Sequence, residues 1–232
     1  MKKPTALLFF FMLCVSIAVI AQDDDDNDSK KYNLGNYDKI YLEGGFKVYL
    51  IQDDEYSLSA KSSDNDVFED LIVRNENGIL HVKMDRDFFH YERVTLYFRF
   101  KQLEELEIEG GANLKTRGYI DLNDFSMSVE GGAKIEMDIK AKNIDIVGEG
   151  GFLFELNGVA ENFNVRISGA GNVDAEDLKA QNVDFSVEGF GTGSIYAVNK
   201  LNAQIEGVGR IRYSGNPKVT QYIDGLGSVK RH

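Results

Sequence analysis

Six acidic side chains recur at one place in a repeated phrase: Glu109, Glu130, Glu149, Glu188, Glu206 and Asp224, interrupted only by Ser168. Stacked strand on strand they would form a ladder of carboxylates. Hard cations favour clustered carboxylates and backbone carbonyls, so Glu130, Glu149, Glu188, Glu206 and Asp224 are the candidate calcium ligands. The competing reading is a solvated acidic rim that also discourages aggregation. Carboxylates one strand apart repel by only about 0.8 kcal/mol in water, less with salt, so a fold tolerates the column without a ligand. The rim is the preferred reading, and no other cofactor is expected.

A second constellation lies on the same expected face: Asp145, Arg166, Asp184, Ser186, Asn202 and Gln204. An arginine flanked by acids on adjacent strands is how polysaccharide lyases on parallel β-helices can be built, with a metal neutralising a uronate and a base removing its proton. An exposed cross-strand salt bridge, worth under about 1 kcal/mol, explains the same residues and is preferred. Other chemistry is scarce. Gly189-Phe-Gly-Thr-Gly193 looks like a phosphate loop, but the following Ser194-Ile-Tyr-Ala197 reads as strand where a dinucleotide fingerprint needs a helix. There is no Gly-x-Ser-x-Gly elbow. His81, His90 and His232 share no ligand spacing, and Cys14 is the only cysteine, so a thiolate site cannot be assembled.

The elements that must position these residues are written as one phrase said seven times between Leu103 and His232. An apolar residue and an outward polar residue precede a glycine, a small glycine-rich turn follows, then another apolar residue. The anchoring glycines are Gly110, Gly131, Gly150, Gly169, Gly189, Gly207 and Gly225, 18 to 21 residues apart. So short and steady a period predicts a solenoid. Period-two alternation places Phe125, Met127 and Val129, or Phe163, Val165 and Ile167, inward before each glycine. Ile135, Met137 and Ile139, or Val173 and Ala175, take the inward slots after it. About 19 residues then make one rung of three short strands, with glycine at the sharp corner. Asn143, Asn162 and Asn182, with Asp124 in the same column, predict an amide ladder at a second corner, with a backbone that asparagine allows to turn left-handed. In the last copy Gln221 takes the inward slot that Ala203 fills one copy earlier, as at a frayed or specially capped end.

From Asn33 to Gln102 the chain is β-rich but irregular. Leu42-Glu-Gly-Gly-Phe-Lys-Val48 is an early copy of the phrase. Asn77-Gly78 predicts a hairpin between Leu71-Ile-Val73 and Ile79-Leu-His-Val82. Asp66 to Leu71 suits a helical turn, and Arg93 to Phe100 alternates as a strand. This part caps the solenoid and hides its edges. The expected fold is therefore all-β, a right-handed parallel β-helix (β-solenoid) with about seven regular rungs and an irregular β-rich N-terminal part.

Lys2 and Lys3, the apolar run Ala6 to Ile20 and Val19-Ile20-Ala21 predict a signal peptide over residues 1–21. The apolar run is shorter than a spanning helix needs, and Cys14 follows Leu13, which disfavours lipidation. Residues 22–32, with the acidic run Asp23 to Asp28, read as a solvated tether, since the glycine and distal glutamate of an EF-hand loop are missing. Residues 33–232 form a single head domain, divided into the irregular part 33–102 and the regular rungs 103–232. Hydrophobic content of 43%, charged content of 28% and two prolines suit a packed domain. The net charge of −12 becomes −14 without Lys2 and Lys3 (24 basic against 38 acidic residues) and disfavours nucleic acid or anionic lipid as partners.

The early Leu42 to Val48 phrase, the Asn77-Gly-Ile-Leu80 hairpin and the serial Gly-x-Gly phrases running to the C-terminus resemble the secreted head GIN domain family of auto-transporter adhesins, common in Bacteroidetes-type bacteria. The likeness covers about Asn33 to His232, and the longer turn Gly189 to Gly193 departs from it. The resemblance implies a right-handed parallel β-helix and export to the periplasm or cell surface, and it brings no established catalytic residues. The expected function is a non-catalytic binding or adhesion module whose polar outer face takes a glycan or an envelope or surface protein. The rivals are a polysaccharide-active enzyme and a structural or envelope-stress protein without a ligand.

Overall fold

The computed structural model describes residues 28–85 and 94–232. The expected signal peptide (1–21), most of the acidic run (23–27) and His90 lie outside the described residues. Within them the protein is all-β: ten strands and one 3-10 turn, with no α-helix. The strands are β1 (Ser29–Tyr32), β2 (Lys39–Gln52), β3 (Ser57–Lys61), β4 (Leu71–Glu76), β5 (Ile79–Met84), β6 (Val94–Phe100), β7 (Glu105–Thr116), β8 (Ile120–Asp121), β9 (Asp124–Ser214) and β10 (Lys218–Arg231). They are hydrogen-bonded along the path β1-β3-β6-β2-β7-β9-β10, with β4, β5 and β8 as side branches.

The repeat sets the register. Strands β2, β7, β9 and β10 run parallel with the phrases aligned residue for residue, so that Glu43 lies beside Glu109, Glu109 beside Glu130 and Glu206 beside Asp224. At 91 residues β9 would be roughly 300 Å long if straight. It returns on itself instead. Asn162 donates from Nδ2 to Oδ1 of Asn143 at 2.7 Å, and Asn182 donates likewise to Asn162 at 3.0 Å, so residues 19 and 20 apart touch. Asn143 closes the column by donating to Asp124. The amide ladder is thus present, but its backbone is not left-handed. Asn77 is the one non-glycine residue with positive φ among the described residues, and the column works through its side-chain amides alone.

Alternation carries the core. Phe125, Met127, Val129, Phe163, Val165 and Ile167 are all buried, as are Ile135, Met137, Ile139, Val173 and Ala175 after the glycines, while the residues between them face out. The seven anchoring glycines have φ between 111° and 146°, a region that side chains strongly disfavour, and Gly44 at 132° shows that the early phrase is a true copy.

The N-terminal part closes one end of this core. Asn77 (φ 53°) and Gly78 (φ 84°) make the expected tight turn between β4 and β5. A 3-10 turn at Asn65–Glu69, capped by Asp64, buries Val67 and Phe68. Tyr37 is fully buried, its hydroxyl directed at the carbonyl oxygens of Arg99 (2.7 Å) and Ser57 (3.1 Å), and burial holds its phenol well above the usual range. One boundary moves. Ser29–Tyr32, read from sequence as part of a tether, forms β1 and pairs antiparallel with β3, because Leu58 and Ala60 give Tyr32 and its neighbours an edge to bond to. The opposite end is different: among the described residues β10 pairs with β9 alone, and nearly all of it is exposed.

Candidate binding face

Because side chains alternate and the copies align, every second residue of a copy stands in a column on the outside. Three columns run side by side across the last copies. The first holds Asp145, Asn164, Asp184, Asn202 and Thr220. The second holds Arg166, Ser186, Gln204 and Tyr222. The third holds Ser168, Glu188, Glu206 and Asp224. The register of β9 with β10 fixes the final steps: Asn202 beside Thr220, Gln204 beside Tyr222, Glu206 beside Asp224.

Within the first column amides alternate with carboxylates from Asp145 to Asn202. Asn164 donates from Nδ2 to Oδ1 of Asp145 at 2.6 Å, and Asn202 donates to Asp184. Such pairs hold each side chain in one orientation and leave further lone pairs and N–H groups facing out. Arg166 lies with Nε 3.8 Å from Oε1 of Glu188, and Ser168 Oγ is 3.5 Å from the other oxygen of that carboxylate. Gln204 donates to Glu206 at 2.5 Å. The first two columns, with Glu188 of the third, line an open groove of about 630 Å³, with Asp145 at one end and Tyr222, 57% exposed, at the other.

All six residues of the expected arginine and acid constellation line this groove. The sequence reading missed Asn164 and Thr220, whose signal was their spacing from Asp145 and Asn202. Tyr222, which sequence alone leaves as an isolated aromatic, is put on the groove wall by the register. Phe190 belongs elsewhere, to an apolar surface with Val208 and Leu226.

The carboxylate column is real as a line and not as a cluster. Glu130 stands beside Glu109, and Asp224 beside Glu206. From Glu130 to Asp224 there are five steps of about 4.8 Å, so the ends lie roughly 24 Å apart. Among the described residues no three His, Cys, Asp or Glu side chains converge as a metal site. At its N-terminal end the column is tied to other groups. Lys83 Nζ bonds Glu43 at 2.6 Å, and a hydrogen bond to Glu109 holds the Tyr41 phenol well above its usual range. On the neighbouring face Lys115 (2.5 Å) and Lys134 (2.7 Å) grip Glu136, and their hydrogen bonds hold its carboxyl below the usual range. No helix among the described residues is long and apolar enough to cross a membrane.

Solved structures share the fold. A "putative adhesin" from Bacteroides fragilis superposes with a TM-score of 0.82 at 18% identity, covering 88% of this chain and 96% of that one. A "putative lipid binding protein" from Parabacteroides distasonis gives 0.69 at 21%, covering 88% and 96%. A "putative adhesin" from Parabacteroides merdae gives 0.69 at 17%, covering 88% and 95%. No curated protein matches the sequence. The sequence profile described as "Putative auto-transporter adhesin, head GIN domain" matches residues 36–217, and the chain belongs to that family.

Proposed function

We propose that the chain is an exported, non-catalytic adhesion module that binds a glycan along the groove between Asp145 and Tyr222. In this reading the parallel register wraps the chain as a right-handed β-solenoid, and the rungs present their outer columns as one long polar face. The observation that supports it is the groove lining: fixed amide and carboxylate pairs at strand spacing, with an exposed aromatic ring at one end. Paired amides and carboxylates suit the vicinal hydroxyls of a sugar, and a tyrosine ring offers an apolar face with a polar tip. Asp145, Asp184 and Glu188 outnumber Arg166 in the groove, which favours neutral or singly acidic glycans over polyanions. The adhesin family and the N-terminal apolar run support export to the periplasm or surface.

The test is a glycan array probed with the exported protein beside Arg166→Ala and Ser186→Trp. Ser186 is half-buried at the middle of the groove, so a large ring there obstructs it. Binding of oligosaccharides by the wild type, weakened about tenfold or more by either substitution, is the expected result. Binding that ignores both would move the site off this groove, and an empty array would turn the search to surface proteins.

The acidic column is proposed as a solvated rim and not a calcium ladder. Thermal unfolding with calcium should therefore match that with magnesium at equal ionic strength to within about 1 °C, with or without EDTA. A calcium-specific rise of several degrees, lost in Glu188→Gln, would return Glu130, Glu149, Glu188, Glu206 and Asp224 to the role of ligands.

A further inference from the structure

Strand β10 ends the sheet with one edge unpaired among the described residues, and its inward side chains are only partly covered. Val219 and Val229 pack on the core, while Ile223 is 38% exposed. An edge of this kind is a template for another strand. The pattern along it says which strand.

We infer that Lys218 to Asp224 is the seam of a two-fold dimer, in which β10 pairs antiparallel with β10 of a second copy about an axis through Gln221. A two-fold operation sets each residue opposite its mirror position. About Gln221 it sets Lys218 opposite Asp224, Val219 opposite Ile223, Thr220 opposite Tyr222, and Gln221 opposite itself. Inward residues meet inward ones. Val219, Gln221 and Ile223 thereby continue the core across the junction, and the two Gln221 amides can bond each other in the slot that Ala203 fills one copy earlier. Outward residues meet as two opposite-charge pairs and two tyrosine–threonine pairs, which are favourable cross-strand neighbours. Neighbouring registers fail this match. An axis through Tyr222 sets Lys218 against Leu226, and one through Asp224 sets Asp224 against itself and Lys218 against Lys230. Pro217, which lacks an N–H, sits at the boundary of the seam.

The edge also carries Lys218 and Pro217, residue types that protect exposed strands from pairing, so charge has to decide between protection and pairing. Arg210, Arg212, Lys230 and Arg231 lie beyond the Gly225 corner, where Lys230 stands beside Arg212. They oppose association at low salt and are screened at physiological ionic strength. Thr220 and Tyr222 belong to both seam and groove, so the dimer would run two grooves into one line. The seam itself does not depend on what the groove binds.

The test is sedimentation velocity of the exported protein at 0.15 M salt over about 1 to about 100 µM, a range that brackets micromolar dissociation constants. The wild type is expected to dimerise. Asp224→Lys and Lys218→Asp should each weaken the dimer about thirtyfold or more by setting like charges opposite one another. Neither should unfold the chain: the first relieves Asp224 beside Glu206, the second relieves Lys218 beside Lys200. Circular dichroism melting checks this. The double variant restores both pairs and should dimerise again, and a mixture of the two single variants should form a one-to-one heterodimer. A wild type still monomeric at 100 µM would overturn the proposal, as would a dimer that ignores both single substitutions.

Discussion

Gly131→Ala is expected to destabilise the protein by about 3 kcal/mol or more, while Gly132→Ala, one residue on, stays within about 0.5 kcal/mol of wild type. Two penalties coincide at Gly131. Its φ is 125°, a conformation essentially restricted to glycine, and an added Cβ would stand 2.2 Å from the carbonyl oxygen of Gly110 in the copy beside it. That oxygen is backbone in a parallel ladder and cannot swing aside as a side chain would. Gly132 has neither problem, because nothing lies within 4 Å of its Cβ position and its φ is not in the positive region. Urea unfolding of the two variants at matched slope is the measurement. Similar losses at both positions would mean that corner geometry is not what the repeated glycine provides.

The part of the fold legible in the sequence was the part that repeats. Each copy restates the same alternation and the same corner, so the inward set, the glycine φ values and the alignment of Glu109 with Glu130 could be read without any long-range information. The hairpin at Asn77-Gly78 was legible for a local reason, since both residues tolerate the positive φ that the turn demands. Strand β1 was not legible, because Ser29-Lys-Lys-Tyr32 has no apolar alternation and owes its conformation to hydrogen bonds with residues 58 to 61. The groove was half legible. Its residue types were picked out, but Tyr222 joins it only through the register of β10 on β9, where a shift of one residue would send that ring into the core.

Copy three breaks the pattern of its neighbours at two positions at once, and reversing both should restore it. Gly148 stands where the other copies place Ile108, Val129, Ile167, Val187 and Ile205. Phe152 stands where they place Ala112, Ala133, Gly171, Gly191 and Gly209. A small residue in a large column and a large residue in a small one are a volume exchange within one copy. The packing agrees: a Cβ on Gly148 would lie 2.3 Å from the Phe152 ring, and one on Gly171 2.2 Å from it. The ring is 7% exposed and stacks on Phe154 at 4.5 Å. Phe152→Ala alone should therefore cost about 3–5 kcal/mol by emptying that volume. Gly148→Val alone overpacks against an aromatic ring and should cost about 1–3 kcal/mol. The double variant gives copy three the residues of copy two, Val129 and Ala133, and should recover to within about 1 kcal/mol of wild type, a coupling of about 3 kcal/mol or more between the sites. Equilibrium unfolding of the four proteins in a double-mutant cycle measures it. Simple additivity would show that the ring and the glycine do not share one space, and that the core of copy three is held by some other contact.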